Sequence, residues 1–150
     1  MKTRALSFVC LLLFAASMAS AQSISIDTVK VEPKTSSLGS DKGKQYLRIA
    51  FRAKVGEAVA PKMTIVVKGR AWVGDQVLVD DIRALGAKLE DIQAGDAKDI
   101  TVPLFMSNGL GGRADKCELT FTLVKGFEKS GQRLATFCWD GSGSTAGNCQ

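Results

Sequence analysis

From Leu47 to Val55 the chain alternates without a break. Leu47, Ile49, Phe51, Ala53 and Val55 are apolar, and Tyr46, Arg48, Ala50, Arg52 and Lys54 fall between them. Successive side chains on a strand point to opposite faces, so this pattern describes a β-strand with one buried and one wet face. A sheet with one apolar face must bury it against a second layer.

Other segments repeat the theme. Ile24 and Ile26 alternate in one phase and Val29 and Val31 in the other, which predicts a bulge near Asp27 before Pro33 ends the strand. Thr35 to Lys44 reads as a polar loop, and Gly56 to Lys62, with Pro61, as a turn. A strand is expected from Met63 to about Val73, with Ile65 and Val67 opposite Thr64, Lys68 and Arg70, before Gly74-Asp75-Gln76 turns into Val77-Leu78-Val79. Ile82, Leu85, Leu89 and Ile92 then recur at spacings of three and four, which predicts a short helix. Gly86 leaves an irregular crossover as the alternative. Ile100, Val102 and Leu104 alternate again, and Pro103, without a donor N–H, assigns that strand to an edge or a bulge. Some seven strands divided by Gly-rich turns predict an all-β domain. Its expected architecture is a two-layer β-sandwich, immunoglobulin-like or related.

The first residues have a different character. Lys2 and Arg4 precede an apolar run from Ala5 to Ala16, and Ala19 and Ala21 supply the small side chains of a signal-peptidase site. The run is about a dozen residues, short of the ~20 that a spanning helix requires. Residues 1–21 are therefore expected to be a signal peptide, with Cys10 removed along with it. Residues 22–140 would form the sandwich, and 141–150 a flexible Gly/Ser-rich tail. The destination is secreted or periplasmic, with no transmembrane anchor. Without Lys2 and Arg4, eighteen basic residues face fifteen acidic ones, and the two signs are interspersed. That mixture argues against a nucleic-acid surface.

Cys117, Cys138 and Cys149 remain in an oxidising compartment, where pairing is expected. Cys117, Leu119, Phe121 and Leu123 share one face of a strand, and Leu134, Thr136 and Cys138 one face of the next. A hairpin closed around Gly126 to Lys129 sets Cys117 opposite Cys138, Leu119 opposite Thr136 and Phe121 opposite Leu134. Directly opposed residues have Cβ atoms about 4.5–5.5 Å apart, within reach of a cross-strand bridge. The expectation is thus a C-terminal hairpin linked by Cys117–Cys138, in neighbouring strands rather than between sheets. Cys149 is left free or available to another chain, with Cys138–Cys149 as the rival pairing.

Catalytic signatures are scarce. The chain has no histidine, which removes the Ser-His-Asp and Cys-His arrangements and every His-containing zinc site. Asp80-Asp81, Glu90-Asp91 and Asp96/Asp99 are the candidate carboxylates, but they read as solvated turns without the regular spacing of a calcium loop. Gly109-Leu110-Gly111-Gly112 lacks the lysine and following helix of a phosphate-binding loop. No cofactor is expected.

Lys68, Arg70, Trp72 and Trp139 stand out as candidate recognition residues, since a Trp beside an Arg can stack on a sugar, a lipid headgroup or a protein hot spot. The leading expectation is a non-catalytic exported module for binding, adhesion or assembly, acting through a sheet face, an edge strand or loops. Its partner would be a protein or a cell-surface glycan. Two alternatives are a structural subunit dimerised through Cys149 and a carboxylate enzyme acting on glycans.

Overall fold

The computed structural model describes residues 23–57, 59–60, 62–89, 92–105, 113–126 and 128–150, and side chains throughout these except 78–88. The proposed signal peptide, the Glu90-Asp91 pair and the Met106–Gly112 loop lie outside the described residues, as do the side chains of Asp80 and Asp81.

The domain is built from β1 (Ile24–Thr35), β2 (Gln45–Val55), β3 (Met63–Val73), β4 (Gln76–Lys88), β5 (Ala97–Phe105), β6 (Lys116–Lys125), β7 (Gln132–Trp139) and β8 (Ser144–Ala146). A three-residue 3-10 turn at Gly39–Asp41 interrupts the β1–β2 connection. Two antiparallel sheets result, with strand orders β1-β2-β5 and β4-β3-β6-β7-β8. Their facing sides form one core, in which Leu47, Ile49 and Phe51 from one sheet meet Ile65, Val67, Leu119 and Phe121 from the other. Phe121 is fully buried and meets Phe51 edge-on across the layers, with ring centroids 4.9 Å apart. The inward set expected on β2, Leu47 to Val55, is buried throughout.

The β1 phase change is also found. Register shifts between Asp27 and Lys30, and Thr28 adopts a positive φ of 54°. Pro33 does not end the strand, however; it pairs in register with Leu47, and β1 runs on to Thr35. An edge strand tolerates this, because an N–H facing away from the ladder is one that proline need not supply. Pro103 obeys the same logic on β5, the opposite edge of that sheet.

The helix expected near residues 80–92 is absent, and β4 takes its place. Pairing of β4 with β3 shifts between Thr64 and Val66, between Gly69 and Ala71, and between Ala71 and Trp72. Each shift places one extra residue on β4. Pairing runs unbroken from Ile82 to Leu85, so their spacing of three is carried by regular strand rather than by a helix turn, and one extra residue falls between Leu85 and Lys88, just before Leu89. Leu89 and Ile92, beyond the strand, are buried in a turn in which Ile92 N–H donates to the Leu89 carbonyl at 3.1 Å.

The connections segregate by end. The β2–β3 and β4–β5 links close one end, where Val55 N–H donates to the Asp96 carbonyl and Leu89 N–H to that of Met63. The antiparallel pairings carry the β1–β2, β3–β4, β5–β6 and β7–β8 connections to the other end.

Candidate functional site

The expected hairpin of β6 and β7 forms, with a register that changes along its length. Near the turn, Leu123 pairs with Gln132 and Thr122 with Arg133, in the expected alignment. A bulge at Leu134 then moves the remainder by one residue, so Cys117 faces Trp139 and Glu118 faces Cys138. A one-residue slip turns every following side chain to the opposite face. It sends Phe137 and Trp139 inward in place of Thr136 and Cys138, which buries two large aromatics rather than a hydroxyl and a thiol.

The predicted Cys117–Cys138 bridge is therefore corrected. Cys138 is bonded to Cys149, with Cα atoms 4.9 Å apart, and Cys117 is a buried free thiol. Burial, with Glu118 adding to it, pushes the Cys117 thiol up to about 12. The segment expected to be a loose tail contains β8, which pairs Ser144, Thr145 and Ala146 with Trp139, Cys138 and Phe137. Cys149 is thus engaged within its own chain, which removes the basis for covalent dimerisation through it.

The turn into β8 is organised by Asp140. Its Oδ1 accepts the Ser142 N–H at 3.0 Å, the Ser142 hydroxyl at 2.7 Å and the Gly143 N–H at 3.0 Å. The Ser142 hydroxyl first, and then the two amides, hold the carboxyl down at about 2, below its ordinary 3.8. A depressed carboxyl stabilises the fold above its unfolded value and ceases to do so as pH falls through the folded one. Amide exchange at Ser142 and Gly143, followed by NMR, is expected to stay slow at pH 4 and to accelerate as Asp140 protonates near pH 2. Exchange that accelerates already around pH 4 would contradict this geometry.

Of the four candidate recognition residues, three lie on the outer face of β3 and one does not. Trp139 is only 4% exposed and belongs to the core. It also floors a groove of about 400 Å³ between Val29–Glu32 of β1 and Gly141–Ser144. Lys68, Arg70 and Trp72 face outward. Trp72 is half-buried, with the Arg70 guanidinium carbon 5.3 Å and the Lys116 Nζ 5.4 Å from its ring centroid. Cations over an indole face are attracted by its quadrupole.

The β6 register explains the arrangement: Lys116 lies beside Trp72, Glu118 beside Arg70 and Thr120 beside Lys68. The C-terminal segment frames this patch. The Glu118 carboxylate accepts the Cys149 N–H at 2.9 Å, and Lys116 Nζ donates to the Gln150 carbonyl at 2.8 Å. Below the indole, Asp115 N–H donates to the Trp72 carbonyl and its Oδ2 accepts the Gly74 N–H, both at 2.9 Å. Gly74, at φ 53°, provides the left-handed residue that the two-residue β3–β4 turn requires.

Lys116 and Glu118 are absent from the sequence-derived candidates. The alternation of Cys117, Leu119 and Phe121 already sets them on the opposite, wet face. What the sequence lacks is the β3–β6 register that brings them to Trp72.

Of the candidate acids, only Asp96 and Asp99 have described side chains. Asp96 and Asp99 are exposed, and Asp99 lies 4.0 Å from the Arg52 guanidinium. Among the described residues, no three Cys, Asp or Glu side chains gather in a way that could hold a metal ion, and no helix is long and apolar enough to cross a membrane. No protein-family model, no curated protein and no solved structure matches the chain.

Proposed function

We propose that the chain is an exported, non-catalytic binding module whose contact surface is the outer face of β3 and β6. Lys68, Arg70, Trp72 and Lys116 form that surface, and its partner is a protein or glycan presented in the envelope or at a cell surface. The observation that carries this reading is the half-buried indole with two cations over it. Trp and Arg concentrate binding energy when a partner desolvates them, and a stiff sheet supplies both at little entropic cost.

The strand order also supports an immunoglobulin-related topology. A constant-type domain keeps its fourth strand beside the fifth, with the third, sixth and seventh in the other sheet. Here β4 has moved across to β3, leaving β1-β2-β5 opposite β4-β3-β6-β7. In this reading β8 is an added strand, latched by Cys138–Cys149.

The test is affinity selection on immobilised glycans and envelope components, repeated with Trp72→Ala. The substitution is expected to weaken binding at least about thirtyfold while leaving the melting temperature within a few degrees. Undiminished binding by the folded variant would remove Trp72 and this face from the reading.

A further inference from the structure

The two sheets differ in width. Three strands, β1-β2-β5, lie over five, β4-β3-β6-β7-β8, with β5 against β4 and β1 against β7. Strand β8 thus extends beyond the cover that β1 provides. Its register sets Ser144 and Ala146 on the same side of the sheet as Trp139 and Phe137, the side that faces the core. Ala146 is nevertheless exposed and Phe137 only half-buried. The groove floored by Trp139 opens here, between Val29–Glu32 and Gly141–Ser144. On its Ser144 wall a hydroxyl is held out of solvent without a hydrogen-bond partner. One strand position beside β1 is vacant.

The backbone of β1 faces that position with unspent groups. Ser36 N–H donates to the Lys44 carbonyl at 2.8 Å, so Ser36 and Lys44 form a hydrogen-bonded pair of the β1–β2 ladder. Such pairs recur at every second residue of an antiparallel ladder. Along the unbroken register from Ser36, Glu32 and Lys30 therefore turn their amides to β2, and Val31 and Pro33 turn theirs outward. Among the described residues no strand pairs with that side of β1. Val31 thus offers an N–H and a C=O, and Pro33 a C=O. The break at Thr28 and the missing N–H of Pro33 blunt the edge on either side, so the open stretch is short and coincides with the groove. Charge on the wet face is uneven as well. Glu32 is paired with Lys34 at 3.1 Å and with Arg48 at 3.7 Å, whereas the exposed Lys30 has no carboxylate within ion-pair distance among the described residues.

We infer that this edge takes up an extended segment of another polypeptide as a fourth strand of the β1-β2-β5 sheet. Small apolar side chains of the segment turn onto Phe137 and Trp139, and an acid turns outward beside Lys30. The backbone of β1 selects this occupant. Its donor and acceptor stand in the spacing of a ladder, which another main chain matches residue for residue. A carbonyl entering the groove would also give the Ser144 hydroxyl the partner it lacks. A second copy joined through its own β1 does not fit. The two-fold axis of an antiparallel pair is perpendicular to the sheet, and it would set each β8 in the space of the other copy's β7. The inference goes beyond recognition by the β3–β6 face, because it rests on the free edge of the other sheet and on no residue of that face.

Selection of random peptides about a dozen residues long, displayed on phage, tests it against a chain that begins at Gln22 and so keeps every described strand. Enriched sequences are expected to place small apolar residues at alternate positions, with an acid among those between. A synthetic copy of an enriched peptide should slow amide exchange at Val31, which is fast in the free protein, while Glu32 is slow throughout. N-methylation of alternate amides on the pairing edge of the peptide should weaken binding about tenfold or more, and methylation on its other edge should not. Val31→Pro removes the outward N–H and spares the bonds to β2, and should weaken binding by a similar factor. Lys30→Glu should weaken it severalfold, and more so at low salt. The inference is overturned by a library that yields no binder, by binders indifferent to methylation of either edge, or by protection that spares Val31. A chain that dimerises alone and protects Val31 in the dimer would also overturn it, since the edge would then belong to a second copy. If Val31→Pro does not fold, the methylated peptides decide the matter. Trp72→Ala should leave peptide binding unchanged, so this reading and that of the β3–β6 face can fail separately.

Discussion

Phe121→Ala is expected to destabilise the domain by about 3–5 kcal/mol, a loss at the upper end for truncating one core side chain. Phe121 is completely buried in β6, meets Phe51 of the opposite sheet edge-on at 4.9 Å, and meets Phe137 of its own sheet at 5.8 Å. Removing the ring leaves a void between two layers, and the β2 and β7 aromatics can collapse into it only by leaving their own strand positions. Marginal stability of roughly 5–15 kcal/mol makes such a loss visible in both denaturant and heat. Chemical denaturation gives the number directly, and Phe121→Leu should lose about 1.5 kcal/mol or less because most of the volume remains. A Phe121→Ala loss below about 1 kcal/mol would mean that this ring is not the inter-sheet contact described.

Replacing Cys138 and Cys149 together by serine is expected to lower stability by roughly 3 kcal/mol, from the loop-closure cost of a short crosslink. The loss should concentrate in β8, whose three residues depend on the bridge and on the Asp140 turn. Amides of Thr145 and Gly147, the latter donating to the Thr136 carbonyl at 2.8 Å, should exchange freely in the double variant. In the intact protein Cys117 should react with a thiol reagent at least about a thousandfold more slowly than in denaturant, since it is buried and its thiolate strongly disfavoured. Peptide mapping that joined Cys117 to Cys138 would contradict both the β6–β7 register and this prediction.

The parts of the fold that can be read from the sequence are those whose two faces differ cleanly in polarity. Strand β2 alternates over its whole length, and β3 begins and ends where the apolar pattern does. Pro103 on an edge follows from its missing N–H, and the break near Asp27 from the change of phase between Ile26 and Val29. The parts that cannot be read depend on a partner strand. Ile82, Leu85 and Leu89 look helical by spacing alone, because the pairing with β3 that makes 76–88 a strand, with its three extra residues, is not encoded locally. Gly/Ser-rich composition hides β8, which is held by a covalent link from another strand and by a turn built around one carboxylate.

The site divides in the same way. Outward placement of Lys68, Arg70 and Trp72 needs only the β3 pattern, so the residues alone supply it. Trp139 is harder. Its orientation opposite to Cys138 is evident, but which of the two turns inward depends on Leu134. The greater apolar bulk of Phe137 and Trp139, compared with Thr136 and Cys138, is the clue that favours the observed phase. Lys116 enters through pairing between strands some fifty residues apart, which no local pattern encodes.

The extra residue at Leu134 has one more consequence, for how this polypeptide can change over time. Substitutions in the stretch before Cys138 alter a side chain; a deletion there would exchange inside for outside in everything downstream. Shortened by one, the segment would aim its sulfur at the wrong thiol and strand its two aromatics in water. Length, more than identity, is what this part of the molecule must conserve.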